Sequence, residues 1–87
     1  MAIQVVESLS ATGAGSPVSG SGPVDISLSG TWVGTVTAQR QIGGSWRDVQ
    51  SYTQNGEFVM ENATALSVRL NFTRTSGTVD TVLATSI

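Results

Sequence analysis

At 87 residues the chain has room for one domain, and with neither Cys nor His it has no disulfides and no imidazole or thiolate metal ligands. A formal net charge of −2 with four Arg spread from Arg40 to Arg74 and no Lys, and a pI near 4.6, argue against a nucleic-acid partner, because neutralising phosphates takes clustered cations. No apolar run approaches the roughly 18 residues of a membrane-spanning helix, and Met1-Ala2-Ile3-Gln4 opens no basic region followed by an apolar stretch, so neither a membrane segment nor a secretory signal is expected.

Ser and Thr make up about a quarter of the chain, and β-branched Thr favours a pleated, half-buried surface over a helix. Ile3 to Ser8 reads as a short strand. Ser10 to Gly22 is rich in Gly and Ser, with Pro17 and Pro23 framing its second half, and reads as a flexible arm or long surface loop. Residues 1–22 are therefore expected to form an N-terminal strand and arm, and residues 23–87 the folded domain. From Pro23 the alternation is clear: Val24, Ile26 and Leu28 share one face, and Gly30 marks a turn or bulge. In the run from Thr31 to Gln41, Trp32, Gly34, Val36 and Ala38 share a parity. Ile42-Gly43-Gly44-Ser45 predicts a hairpin whose glycines supply positive φ. Ser45 to Thr53 returns, Gln54-Asn55-Gly56 predicts a second hairpin, and Glu57 to Glu61 forms a short strand with Phe58 and Met60 inward. After a turn at Glu61-Asn62-Ala63, Leu66, Val68, Leu70 and Phe72 alternate against polar residues. Thr75-Ser76-Gly77 predicts the last turn before a closing strand with Val79 and Leu83 on one face.

About seven strands at roughly ten-residue spacing predict an all-β fold, a small antiparallel β-sandwich of Ig-like shape without a disulfide, or a small barrel. Its expected core is Val24, Ile26, Leu28, Trp32, Val36, Trp46, Phe58, Leu66, Val68, Leu70, Phe72 and Leu83. So short a chain buries only roughly 60–65 % of its unfolded surface. With neither disulfide nor metal to staple it, oligomerisation is the expected support.

Catalytic machinery is not legible. Activating a serine takes an adjacent base, and without His or Lys the Ser–His–acid and Ser–Lys arrangements cannot be built from this chain. Glu57 and Glu61 share a strand face but read as a solvated edge rather than a glycosidase pair. Asp48, Glu57, Glu61 and Asn62 lack the Asp-rich spacing of a calcium loop. Gly13-Ala14-Gly15 and Gly20-Ser21-Gly22 precede no helix and carry no P-loop Lys. Asn62-Ala63-Thr64 and Asn71-Phe72-Thr73 match the glycosylation sequon, as chance allows in a Thr-rich chain. Gln39 to Trp46 resembles an Asp-box turn in which Gln39 and Gln41 replace the Ser and Asp while Gly43, Ser45 and Trp46 hold. It marks a hairpin with a tucked Trp. No cofactor and no enzymatic activity are expected. Trp32, in register with Val36 and Ala38, is expected in the core. Trp46, just past a loop, is open to two readings: core filler or a sugar-stacking platform.

The stretch Ser29-Gly30-Thr31-Trp32-Val33-Gly34-Thr35-Val36-Thr37-Ala38-Gln39-Arg40, continuing through Gly43-Gly44-Ser45-Trp46-Arg47-Asp48-Val49, resembles small β-rich structural proteins of tailed bacteriophages. Those carry a Gly-Thr-x-x-Gly-Thr-Val-Thr-Leu-Gln-Arg-Ser strand, a Gly-rich hairpin, then Trp with an acidic partner. The likeness extends to Tyr52, Asn55-Gly56, Val68-Arg69-Leu70 and Gly77-Thr78-Val79, about two-thirds of the chain. Ala38 departs from the pattern's Leu and Gln41 from its Ser. The resemblance implies a virion component made in the host cytoplasm: a capsid decoration or cement protein, or a head or tail accessory piece. Its implied partners are other virion proteins and copies of itself, with no nucleic acid or membrane. The arm would dock on a neighbour, with Ser16, Pro17, Val18 and Trp46 as candidate partner-binding residues. The alternative function is a host-surface or carbohydrate-binding sandwich module.

Overall fold

Two strands of 19 residues each organise the molecule. The computed structural model describes residues 3–19, 23–61 and 66–85, with β1 at Ile3–Leu9, β2 at Gly13–Ala14, β3 at Val18–Ser19, β4 at Val24–Ile42, β5 at Ser45–Tyr52, β6 at Gly56–Met60 and β7 at Ser67–Thr85. β4 and β7 pair antiparallel from Val24↔Thr85 to Arg40↔Val68. Along the other side of β7 lie β1, opposite residues 79–85, then β2 and β3. Along the other side of β4 lie β6, opposite residues 24–28, and β5, opposite residues 36–42.

A straight strand of this length would extend about 60 Å, yet the longest dimension of the molecule is 34 Å. Both long strands must bend, and the bent pair divides the sheet into two halves that cover each other. The upper half contains β1, residues 76–85, residues 24–33 and β6. The lower half contains β2 and β3, residues 67–74, residues 34–42 and β5. The result is an antiparallel β-sandwich made from one sheet, and its edges do not meet to close a barrel.

The bend has an identifiable cause. Val33 pairs with Ser76 and Gly34 with Arg74, so Thr75 is an extra residue on β7, a bulge that kinks its strand. Gly77 beside it has φ +80°, the left-handed region that L side chains avoid. A Cβ at Gly77 would also run into the Thr31 carbonyl oxygen and lie 2.7 Å from the Trp32 Cα. The bulge further shifts side-chain parity. Before it the even residues Val68, Leu70 and Phe72 are buried; after it the odd residues Val79, Thr81, Leu83 and Thr85 are. One strand thereby faces the same interior with both of its halves.

That interior is continuous. Val24, Ile26, Leu28, Met60, Val79 and Leu83 from the upper half meet Val18, Val36, Ala38, Val68, Leu70 and Phe72 from the lower, with Val5, Leu9, Trp32, Tyr52 and Phe58 packed around them. Fully burying side chains such as Phe72, Ile26 and Val36 contributes about 1.5–3 kcal/mol each. Aromatic contacts and hydrogen bonds join the halves at their margins. Trp32 meets Phe72 edge to face at 5.7 Å, and Tyr52 of β5 stacks on Phe58 of β6 at 4.1 Å. On the opposite margin, Glu7 of β1 accepts hydrogen bonds from the Ser16 N–H at 2.7 Å and hydroxyl at 3.2 Å.

Several local expectations change in this setting. The hairpin at Ile42–Ser45 is present, with Gly43 at φ 60° and Gly44 at φ 81°. Gly30 lies within the continuous β4, and Thr75–Gly77 is the bulge in the continuous β7 rather than a turn. Gln54-Asn55-Gly56 is not a hairpin: β5 and β6 both pair with β4, so this segment crosses between the halves. Asn55 anchors the crossing, its Oδ1 accepting the Trp32 indole N–H at 2.6 Å and its Nδ2 donating to the Gly30 carbonyl at 2.9 Å. Leu66 is half-buried and stands outside the core cluster. The turn and sequon around Asn62 and the Gly20-Ser21-Gly22 segment lie outside the described residues.

Candidate interaction surfaces

The segment expected to dock on a neighbour is built into the chain's own sheet. Gly13 and Ala14 pair with Phe72 and Asn71, and Val18 and Ser19 pair with Val68 and Ser67. Val18 is only 3 % exposed and fills the chain's own core, because its strand parity faces the interior opposite Val68. Ser16 is held by Glu7, and Pro17 is exposed. Trp46 belongs to the far side of the same half, with β7 and β4 between, about 14 Å away at ordinary strand spacing. The four candidate residues therefore do not form one site.

Trp46 stands outside the core cluster. It pairs with Gln41, whose parity is opposite to that of buried Val36 and Ala38, so Trp46 lies on the outer face of the lower half. There the Arg69 guanidinium sits 4.2 Å from its ring centroid, a cation–π contact. Arg69 Nε donates to Gln39 Oε1 at 2.8 Å, and Gln39 Nε2 donates to Asp48 Oδ1 at 2.8 Å. The outcome is a half-buried indole set among amide, carboxylate and guanidinium groups.

The outer face of the upper half is different. Its cross-strand rows run Gln4–Ala84–Asp25–Val59 and Val6–Val82–Ser27–Glu57. Val6 is 68 % exposed and Val59 62 % exposed, and a groove of about 390 Å³ is lined by Asp25, Ser27, Glu57, Val59, Val82 and Ala84. Asp48 lies on the lower half and Glu57 on the upper, so these carboxylates do not converge. Glu57 and Glu61 are both exposed.

Charge is divided between the halves in a way that chain order conceals. Glu7, Asp25, Glu57 and Asp80 belong to the upper half, which has no Arg or Lys among its described residues, and Glu61 directly follows its strand β6. Arg40, Arg47, Arg69 and Arg74 all belong to the lower half, where Asp48 is their one acidic counterpart. Arg40 and Arg47 are direct cross-strand partners, an arrangement in which like charges repel. Arg40 Nε is buried and has no hydrogen-bond partner. Sequence reasoning missed this because the four arginines look scattered until strand pairing gathers them.

Fold and surface together describe an all-β sandwich domain with two chemically unlike outer faces. No protein family, curated protein or solved structure matches the chain.

Proposed function

We propose that the chain is a structural subunit that works through protein–protein contacts, as a capsid decoration or cement protein or a head or tail accessory of a tailed-phage virion. The observation that carries the assembly reading is the uncovered valine face: Val6 and Val59 are exposed on the sheet surface that also bears Val82 and Ala84. Val6, Val82 and Ala84 adjoin across β1 and β7, and Asp25 and Ser27 of β4 stand between them and Val59; exposed apolar groups interleaved with polar ones in this way suit a protein–protein contact. The virion assignment rests on the strand and hairpin motif from Ser29 to Val49. An antibody against the chain, applied to density-purified particles from the native source, tests it. Co-migration with particles at a fixed copy number is the expected result. Recovery only as free protein, with none in particles, would refute it.

A second reading has its own observation. Trp46 lies off the core beside Gln39, Asp48 and Arg69, the setting of an aromatic platform for a sugar ring. Titrating soluble oligosaccharides against the Trp46 emission, isolated in a Trp32→Phe background, tests it. Saturable quenching abolished by Trp46→Ala supports a glycan site, and a flat response across neutral and acidic sugars rejects it.

A further inference from the structure

We infer that copies of this chain associate head to tail, the Arg40–Arg47 tip of one copy seated in the Asp25–Glu57 groove of the next. The inference rests on the assembly reading above and names the partner as a second copy of the chain.

The tip carries an unmet electrostatic need. Arg40 and Arg47 face each other across β4 and β5, about 5 Å apart at their Cβ atoms; Arg47 is exposed and Arg40 half-buried, its Nε buried and without an acceptor among the described residues. Asp48, next along β5, is already engaged with Gln39. Ile42 shares the parity of Arg40 and is 41 % exposed, so the tip presents two cations beside an apolar side chain.

The groove offers the complement. Asp25 and Glu57 are diagonal neighbours on β4 and β6, within roughly 7–8 Å, and among the described residues neither carboxylate has a hydrogen bond or ion pair. By contrast Glu7, Asp48 and Asp80 all accept hydrogen bonds. The carboxylates are spaced more widely than the arginine Cβ atoms, a difference that long, flexible Arg side chains span, and Arg–carboxylate pairs form strong charge-assisted hydrogen bonds. Val59, Val82 and Ala84 of the lining suit the aliphatic stems of the arginines and the Ile42 side chain. Because tip and groove are different patches, the contact is heterologous. Such contacts propagate into a ring if the rotation closes and a filament if it does not.

Sedimentation velocity on the full chain tests this at low salt and at about 1 M salt, where the Debye length falls to about 3 Å. The tip variant Arg40→Glu/Arg47→Glu and the groove variant Asp25→Arg/Glu57→Arg are measured alone and mixed. The wild type should form species larger than a dimer at low salt that dissociate at high salt. Each variant alone should associate about tenfold more weakly or worse, and an equimolar mixture should recover association, since each surface then meets its opposite charge. Should either variant fail to fold, Arg47→Gln and Glu57→Gln serve in its place, each expected to weaken association. Wild-type association that no variant alters would overturn the tip-and-groove contact while leaving the assembly reading intact. A wild type that stays monomeric at low salt would also overturn it, and the particle co-migration experiment judges the assembly role separately.

Discussion

Replacing Gly77 with Ala isolates the energetic demand of the bend. At φ +80° an L residue incurs about 1–2 kcal/mol for the left-handed backbone alone. The added methyl also meets backbone rather than a flexible side chain, the Thr31 carbonyl and the Trp32 Cα, so the β4–β7 ladder must shift, for about 1–3 kcal/mol more. A combined loss of about 2–5 kcal/mol is large against the roughly 4–13 kcal/mol expected for a domain of this length at about 0.05–0.15 kcal/mol per residue. At about 4–8 °C per kcal/mol, the midpoint should fall by roughly 8–40 °C. Gly43→Ala is the control: its φ is +60° and nothing lies within 4 Å of the new Cβ, so only the left-handed backbone cost of about 1–2 kcal/mol is expected. Thermal and urea unfolding followed by tryptophan emission measure both. Equal losses for the two variants would refute the argument that close approach of β4 and β7 at Gly77 sets the bend.

Phe72 is fully buried and meets Trp32 edge to face, so Phe72→Ala should cost about 3–5 kcal/mol, read as a lowered urea midpoint by circular dichroism. Asn55→Ala removes partners from both the Trp32 indole and the Gly30 carbonyl; because the site is exposed and water can replace them, urea unfolding should show a loss of about 1 kcal/mol. Burial raises the Tyr52 pKa above its ordinary 10.0. The folded chain then holds this proton at a pH where the unfolded chain has released it, so stability is constant below about pH 10 on this account and falls as pH rises through the folded value. Tyr52→Phe should abolish that alkaline decline in denaturant midpoints.

Much of the architecture is legible in the residue pattern. The parity of Val24, Ile26 and Leu28, and that of Val68, Leu70 and Phe72, survives unchanged as buried faces, because hydrophobic alternation is a local property of each strand. The paired glycines of the Ile42–Ser45 hairpin are read correctly for the same reason. Trp46 is not: alternation alone cannot say which side of β5 is covered, and pairing with Gln41 turns it outward. Val18, expected at a partner contact, belongs instead to the chain's own core; its strand is two residues long, too short for a period to show. Asn55-Gly56, a strong hairpin signal in isolation, is overridden when its flanking strands find separate partners along β4.

The chain by itself determined the class of fold, the inward faces and the absence of a His, Lys or Cys to activate a nucleophile, since each follows from residue type or from short-range periodicity. Only the tertiary structure decided that Gly30 and Thr75–Gly77 interrupt two continuous strands without ending them, and that all four arginines gather on the lower half, where Asp48 is the one acid. Both depend on pairing between residues about fifty to sixty positions apart, such as Val24 with Thr85 and Gly30 with Val79, and such long-range register is not encoded in any local window.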